Sequence, residues 1–135
     1  MLKFSPLIAV VLVGCAIDPP QPALIKPTAS GFAEGTFHHA TIADVQSKFA
    51  AKCVGLGWTV EDINSMQISC GHDALGLRAE TWHYDTTWTM IQTGPDVHAS
   101  AQGFVGFPGG PKSPIPRSNS ATNKMQTTMF QLGAD

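Results

Sequence analysis

The spacing of apolar residues predicts a helix directly after Thr41, whose hydroxyl is suited to cap the first turn. Gly55 and Gly57 follow this segment and predict its end, since glycine is common where helices stop. Four apolar residues recur at steps of three to five and form one stripe along the helix: Ile42, Val45, Phe49 and Val54.

The next segments alternate with the two-residue period of strands. Residues 58–63 and 65–70 are rich in β-forming side chains and flank a turn at Asn64, which predicts a tight hairpin. Residues 79–91 and 96–107 alternate more regularly and are joined by a Gly-Pro turn, which predicts a second hairpin. In residues 79–91 the larger side chains share one parity and are expected to face the core: Trp82, Tyr84, Trp88 and Met90.

A last helix is expected to start at Ser118 or Ser120, because four apolar residues then share one face. Those residues are Ala121, Met125, Met129 and Leu132. The predicted order is helix, four antiparallel strands, helix. The simplest way to bury one stripe of each helix and one face of each strand is a two-layer α+β sandwich. We therefore predict that both helices pack on one face of a four-stranded antiparallel sheet.

The start of the chain has the pattern of an export signal. Lys3 supplies a positive charge, and residues 4–13 form an apolar run of about ten, too short for the roughly 20 residues that span a bilayer. The run ends in four residues that resemble the lipobox of bacterial lipoproteins: Leu12, Val13, Gly14 and Cys15. An ordinary secretory signal with an unrelated cysteine, or a buried N-terminal strand, are the alternatives.

The resemblance implies that residues 1–14 are removed and that Cys15 carries a diacylglycerol, which anchors the protein without a transmembrane helix. In such lipoproteins an Asp after the cysteine favours the inner membrane. Here Ala16 follows, so the expected location is the outer membrane, facing the periplasm. Residues 15–40 are rich in proline and glycine and are expected to form a tether, although part of it could pack as an ordered arm through Phe32 and Phe37.

The length of the chain allows one folded domain, which we expect over residues 41–135. The chain has 8 Lys and Arg against 10 Asp and Glu, and no basic stripe. Nucleic acid is therefore not an expected partner.

Lipidation of Cys15 would leave two cysteines, Cys53 and Cys70, in an oxidising compartment. A helix laid over the hairpin that follows it would bring them together, so a disulfide is predicted. Closing a loop of about 18 residues would contribute roughly 3 kcal/mol in the chain-entropy model. Two separate buried thiols are the alternative.

The five histidines raise the question of a metal site. His83, Asp85 and His98 could converge on the outward face of the second hairpin, but the register is not determined by the sequence and no metal-binding motif is present. Asp85 and His98 could also be combined with a hydroxyl in a hydrolytic triad, but no nucleophile elbow is present. We therefore expect no catalytic residue, no metal and no cofactor.

A Gly- and Pro-rich loop at residues 103–117 is the candidate partner-binding segment, since a rigid loop loses little entropy on docking. Its candidate contact residues are Phe104, Phe107, Lys112, Ile115 and Arg117. A plain connector is the alternative. The function expected first is a non-enzymatic envelope accessory that binds another envelope protein.

Two other functions are considered. One is binding of a small ligand or cell-wall fragment by the Trp-rich face, which a solvent-open pocket between helices and sheet would favour. The other is a weak hydrolase or metal enzyme, which convergence of His83, Asp85 and His98 would favour.

Overall fold

The computed structural model describes residues 24–117 and 120–135. They form a mixed α+β fold of two helices and an antiparallel sheet. The elements in chain order are β1 (Ala33–Phe37), α1 (Ile42–Gly55), β2 (Thr59–Ile63), β3 (Gln67–Leu75), β4 (Thr81–Thr93), β5 (Asp96–Gly106), β6 (Lys112–Pro114) and α2 (Ser120–Gln131).

The sheet has six strands, so the predicted four-stranded sheet and its α-β-β-β-β-α order are wrong. The strand order is β1-β5-β4-β3-β2. Strand β6 also pairs with β5, along the part of β5 that β1 does not reach. Because an edge strand carries unpaired backbone groups, both added strands complete the hydrogen bonding of β5. Strand β1 lies within residues 15–40, the range expected to be a tether, and β6 lies within the Gly- and Pro-rich loop.

Both helices pack on one face of this sheet, which we call the covered face. The Phe49 ring of α1 stacks on Trp88 of β4, with 4.7 Å between ring centroids, and makes an edge contact with Phe37 of β1. Met125 and Met129 of α2 belong to the same buried core. The predicted arrangement of two helices on one face is thus present, with a wider sheet beneath them.

Local sequence signals account for the ends of α1. The Thr41 side chain accepts a hydrogen bond from the backbone N–H of Asp44, and the Asp44 carboxylate accepts one from the backbone N–H of Thr41. Gly57 follows the helix with a φ of 76°, a left-handed conformation that suits glycine.

The predicted disulfide between Cys53 and Cys70 is confirmed, and the two Cα atoms are 6.2 Å apart. It joins the C-terminal end of α1 to the middle of β3. Helix α1 is therefore fixed to the sheet at this end covalently as well as by packing.

The predicted signal and lipidation site, including Cys15, lie outside the described residues. Within residues 24–117 and 120–135, no helix is long and apolar enough to cross a membrane. Residues 24–40, the described part of the segment expected to be a tether, contact the domain. The backbone N–H of Lys26 donates a hydrogen bond to the Gln126 side chain, and Phe37 is buried.

Candidate functional site

A cleft of about 260 Å³ lies between the two helices and the sheet. Its walls come from α1 and α2, its floor from β3 and β4, and its surface is mainly apolar. The walls include Lys52, Leu56, Ala121, Lys124 and Met125, and the floor includes His72, Tyr84, Thr86 and Trp88. A mainly apolar concave surface with a few polar groups is the usual character of a small-ligand site.

Three aromatic rings form a continuous stack along one side of the cleft. The rings of Trp58 and His72 are 4.5 Å apart, and those of His72 and Tyr84 are 5.6 Å apart, with planes inclined by 13° and 20°. The register explains this order, because His72 of β3 pairs directly with Tyr84 of β4 and Trp58 immediately precedes β2. Because the rings stack face to face, both faces of the His72 ring are covered by its neighbours.

Two nitrogen atoms in the cleft wall are buried without a hydrogen-bond partner among the described residues: Trp88 Nε1 and His72 Nδ1. Trp88 is only 3% exposed. Leaving such a group unpaired costs roughly 1–3 kcal/mol, and native proteins rarely leave it so without a reason. The pKa of His72 is lowered, first by burial and then by repulsion from His83, so the neutral ring is favoured.

Two lysines flank the cleft from opposite walls, Lys52 on α1 and Lys124 on α2. No ion pair recorded within residues 24–117 and 120–135 involves either of them. Asp85 also borders the cleft, but its carboxylate bonds to Lys112. Two positively charged side chains therefore border the cleft, one on each helix.

The opposite side of the sheet, which we call the open face, carries a charge network centred on His83. The His83 Nδ1 atom is 2.6 Å from Asp73 Oδ1, and its Nε2 atom is 2.5 Å from Glu61 Oε1. The hydrogen bond from Asp73 raises the pKa of His83 most, and the charge and hydrogen bond of Glu61 raise it further against burial. Both carboxylates therefore favour the charged form of the ring.

Asp85 is 6% exposed and is paired with the ammonium group of Lys112, which also lies 3.9 Å from Glu61. This hydrogen bond raises the pKa of Lys112. Gly71 makes room for the network, because a Cβ atom there would be 2.3 Å from Glu61 Oε1 and 2.7 Å from His83 Nε2. A side chain at position 71 would push these groups apart.

The three residues considered from the sequence as metal ligands, His83, Asp85 and His98, do not come together. His98 does not approach His83 or Asp85, because Asp85 pairs with Phe104 on β5, six residues beyond His98 and roughly 20 Å along the strand. The same separation excludes a triad of Asp85 and His98. Glu61, His83 and Asp85 do place ligand-type atoms within 4.8 Å of one another. The Lys112 ammonium group already lies among these carboxylates.

The five candidate partner-binding residues do not form one surface. Phe104 and Lys112 lie on the open face, whereas Ile115 packs against Gly103 and lines the cleft. Arg117 lies over the Phe32 ring, at 4.5 Å from its centroid. Whether any of the five binds a partner stays a prediction.

Phe107 belongs to an exposed apolar end of the sheet. It is 54% exposed and stacks on Trp82, with 4.6 Å between centroids. Leu75 and Leu77, at the β3–β4 turn, are exposed at the same end. We call Leu75, Leu77, Trp82 and Phe107 the apolar end.

Sequence reasoning considered four residues as a possible ligand cleft: Trp58, Trp82, Tyr84 and Trp88. The structure brings three of them together, whereas Trp82 stacks on Phe107 at the apolar end. Sequence reasoning missed His72, whose two-residue spacing from Cys70 on β3 places both on the covered face. It also missed Glu61, and it considered Lys112 only as a partner-binding residue, because the positions of both depend on strand pairings that the sequence does not display. No protein-family model and no curated protein matches the chain, so function is argued from this geometry.

Proposed function

We propose that the protein is a bacterial lipoprotein of the cell envelope whose domain binds a small ligand in the cleft between helices and sheet. The observation that carries the proposal is the cleft itself, a mainly apolar concave surface of about 260 Å³ between the two helices and the sheet. The stack of Trp58, His72 and Tyr84 along it offers the apolar contact area that small-ligand sites use.

The envelope location rests on sequence and is supported by the disulfide. The lipobox resemblance at Leu12, Val13, Gly14 and Cys15 implies the lipid anchor, and Ala16 favours the outer membrane with the domain in the periplasm. The Cys53–Cys70 bond suits an oxidising compartment, because disulfides persist there and are rare in the cytosol.

Metabolic labelling with a palmitate analogue, followed by membrane fractionation, tests the anchor. We expect label in the outer-membrane fraction for the wild-type protein and none for Cys15→Ser. Cys53→Ser and Cys70→Ser are controls that keep the lipobox and should keep the label. Soluble, unlabelled wild-type protein would overturn the anchored location.

A narrowed cleft tests ligand binding. Ala121→Phe adds a ring to the α2 wall of the cleft, whereas Ala51→Phe adds the same ring to an exposed position on α1 outside the cleft. Binding of small aromatic compounds, measured by calorimetry, should be lost in the first variant and kept in the second. Binding that survives Ala121→Phe would place the ligand elsewhere and contradict the proposal.

The second candidate is the accessory protein that binds another envelope protein, and the apolar end favours it. Three of its residues are more than half exposed: Leu75, Leu77 and Phe107. Exposed apolar side chains grouped at one end of a sheet can mark an interaction site. Crosslinking in the membrane from position 107 should capture a defined partner, and Phe107→Ser should weaken it, whereas Ile91→Ser, an exposed apolar position elsewhere on β4, should not.

A further inference from the structure

We infer that the apolar end of the sheet inserts into the surface of the membrane that anchors the protein, so that it contacts lipid and orients the domain. The inference rests on the proposed function in one respect, since it requires the lipid anchor at Cys15. It goes beyond that function by adding a second contact with the bilayer, made by side chains of the folded domain. A protein partner is the competing occupant of this end.

The β3–β4 hairpin projects beyond its neighbours at the apolar end. Strand β2 pairs with β3 only as far as Gly71, and β5 pairs with β4 only as far as His83. The hairpin itself continues to the pair of Leu75 and Thr81, four residues past the end of β2 and roughly 13 Å along the strand. Within the described sheet, no other strand flanks the turn that follows. The turn can therefore reach a surface ahead of the rest of the domain.

Two leucines at this tip are the most exposed large apolar side chains of the described residues. Leu77 is fully exposed and Leu75 is 79% exposed. Covering them would be favourable, because apolar area in contact with water costs free energy. A protein would need a pocket complementary to this convex tip, whereas the boundary between headgroups and acyl chains accepts apolar side chains without such a pocket. The shape of the tip therefore favours lipid.

Hydrogen bonds within the turn hold the leucines in place. The Glu80 carboxylate accepts hydrogen bonds from the Trp82 indole N–H at 3.0 Å and from the backbone N–H of Arg78 at 2.8 Å. The backbone N–H of Gly76 donates to the backbone carbonyl of Glu80. An ordered turn loses little conformational entropy on insertion. Glu80 is also the only acid in residues 75–82, and its carboxylate is engaged inside the turn.

The polar groups at the tip suit lipid headgroups. Trp82 stacks on Phe107 while its N–H is hydrogen-bonded, and tryptophan is enriched at membrane interfaces because its ring is amphipathic. Arg78 is exposed next to Leu77, and a guanidinium group can pair with a phosphate through two parallel hydrogen bonds. Residues 107–111, at the neighbouring turn, carry no charged side chain. The apolar end therefore combines apolar area with a group that binds phosphate.

The opposite end of the sheet has a different character. Asp96 and Asp135 lie there on either side of His38, with ring nitrogens 3.2 and 2.9 Å from their carboxylates. Two carboxylates outnumber the one imidazole between them, and lipid phosphates repel negative charge. Of the two ends, the apolar end is therefore the better match to a bilayer surface.

The anchor keeps the apolar end close to the membrane. Leu24, the first described residue, follows Cys15 by nine residues, which span at most about 30 Å. Strand β1 begins at Ala33 opposite Ala101, and Gly106 lies five residues, roughly 17 Å, farther along β5. Because the domain is tethered, insertion is an intramolecular event at high effective concentration. Contact through a few side chains is then sufficient.

A fluorescent label at position 77 tests the inference in the full lipidated chain, reconstituted in vesicles of phosphatidylethanolamine and phosphatidylglycerol. Leu77→Cys provides a single free thiol, because the proposal places lipid on Cys15 and Cys53 is bonded to Cys70. Nitroxides on the lipid acyl chains should quench this label roughly threefold more strongly than the same label in Ile91→Cys, since inserted side chains lie at the depth of the acyl boundary. Ile91 is 56% exposed and lies near the other end of β4. Iodide in the buffer should quench the two labels in the reverse order.

A second set of variants shows whether the leucines cause insertion. With the label carried by Phe107→Cys, adding Leu75→Ser and Leu77→Ser should lower quenching by the lipid nitroxides roughly threefold, because apolar area that drives insertion is lost. Adding Ile63→Ser and Ile91→Ser is the matched control, since both isoleucines are 56% exposed and lie away from the apolar end, and it should leave the quenching unchanged. Thermal unfolding of each variant shows that the fold persists.

The outcomes separate the inference from the proposed function. Equal quenching at positions 77 and 91, in a chain that carries lipid and stays on the vesicles, would overturn the inference and leave the anchor. Equal effects of the leucine and isoleucine pairs would overturn it as well. A position 77 open to iodide on vesicles but shielded in native membranes would assign the apolar end to a protein partner instead. A chain without palmitate label that stays off the membrane would overturn the anchored location and the inference together.

Discussion

The two faces of the sheet solve the problem of buried polar groups in opposite ways. On the open face, Asp85 is buried but has Lys112 as its partner, and His83 has a carboxylate at each ring nitrogen. On the covered face, Trp88 and His72 keep buried nitrogens without partners among the described residues. One face satisfies its polar groups internally, whereas the other leaves two buried nitrogens unsatisfied beside a mainly apolar cleft.

This difference distinguishes a structural network from a binding site. Charges that compensate one another gain little from a ligand, because a ligand would have to displace an existing partner such as Lys112. A mainly apolar cleft offers contact area that a ligand can cover without displacing a charged partner. The richer collection of ionisable side chains on the open face is therefore the weaker candidate for the site.

The largest expected effect comes from the core beneath the cleft. Phe49→Ala removes the ring that packs between Phe37 and Trp88 and should lower the free energy of unfolding by about 3–5 kcal/mol. Ile91→Ala on the open face removes an exposed side chain and should change it by less than about 0.5 kcal/mol. Urea denaturation of both variants checks the contrast, and similar losses would mean that the two faces are not packed as described.

The disulfide should have the next largest effect, because it closes one side of the covered face. Replacing both Cys53 and Cys70 by Ala should cost about 2–5 kcal/mol, mainly by releasing the constraint on the unfolded chain. The same urea experiment measures it, with reduction of the wild-type protein as a second route to the same state. An unchanged midpoint in both experiments would contradict a formed bond.

Much of the covered face could be predicted from the sequence, because its residues follow strict periods. The capping position Thr41 and the apolar stripe through Phe49 predict α1, and the alternation that includes Trp88 and Met90 predicts β4 and its buried side. The two missing strands lack such a pattern. Strand β1 has only five residues and includes Gly35, and β6 has three and ends in Pro114.

The open-face network could not be predicted, because it depends on pairings between distant segments. Glu61 reaches His83 through a bulge between Val60 and Asp62, where β2 carries one extra residue against β3. Lys112 reaches Asp85 because the short strand β6 pairs beside Gly106. Neither the bulge nor the pairing of β6 leaves a periodic signal in the sequence.

Breaking the network at its buried acid should have an intermediate effect. Lys112→Met leaves the Asp85 carboxylate without its partner and should cost about 1–3 kcal/mol. Adding Asp85→Asn removes the unpaired charge and should recover part of that loss, so a double-mutant cycle should give a coupling of at least about 0.5 kcal/mol. Additive losses would show that the two groups do not depend on each other.

The smallest expected effect is a dependence of the unfolding free energy on pH, which a charged network on the open face produces and an uncharged surface does not. Hydrogen bonding to Asp73 raises the pKa of His83 in the folded protein above its ordinary value of 6.5. The protonated ring therefore stabilises the fold fully below that value, and the stabilisation is lost as the pH rises through the raised pKa. The difference in unfolding free energy between the wild type and His83→Gln should be larger at pH 5.5 than at pH 9.

His98→Gln is the matched control on the same face. The carboxylate beside His98, that of Glu34, is 3.9 Å away, whereas those beside His83 are in direct contact with the ring. A difference for His83→Gln that stays constant across this range would mean that folding does not shift the pKa of the ring, and the open face would then not be the self-compensating network described here.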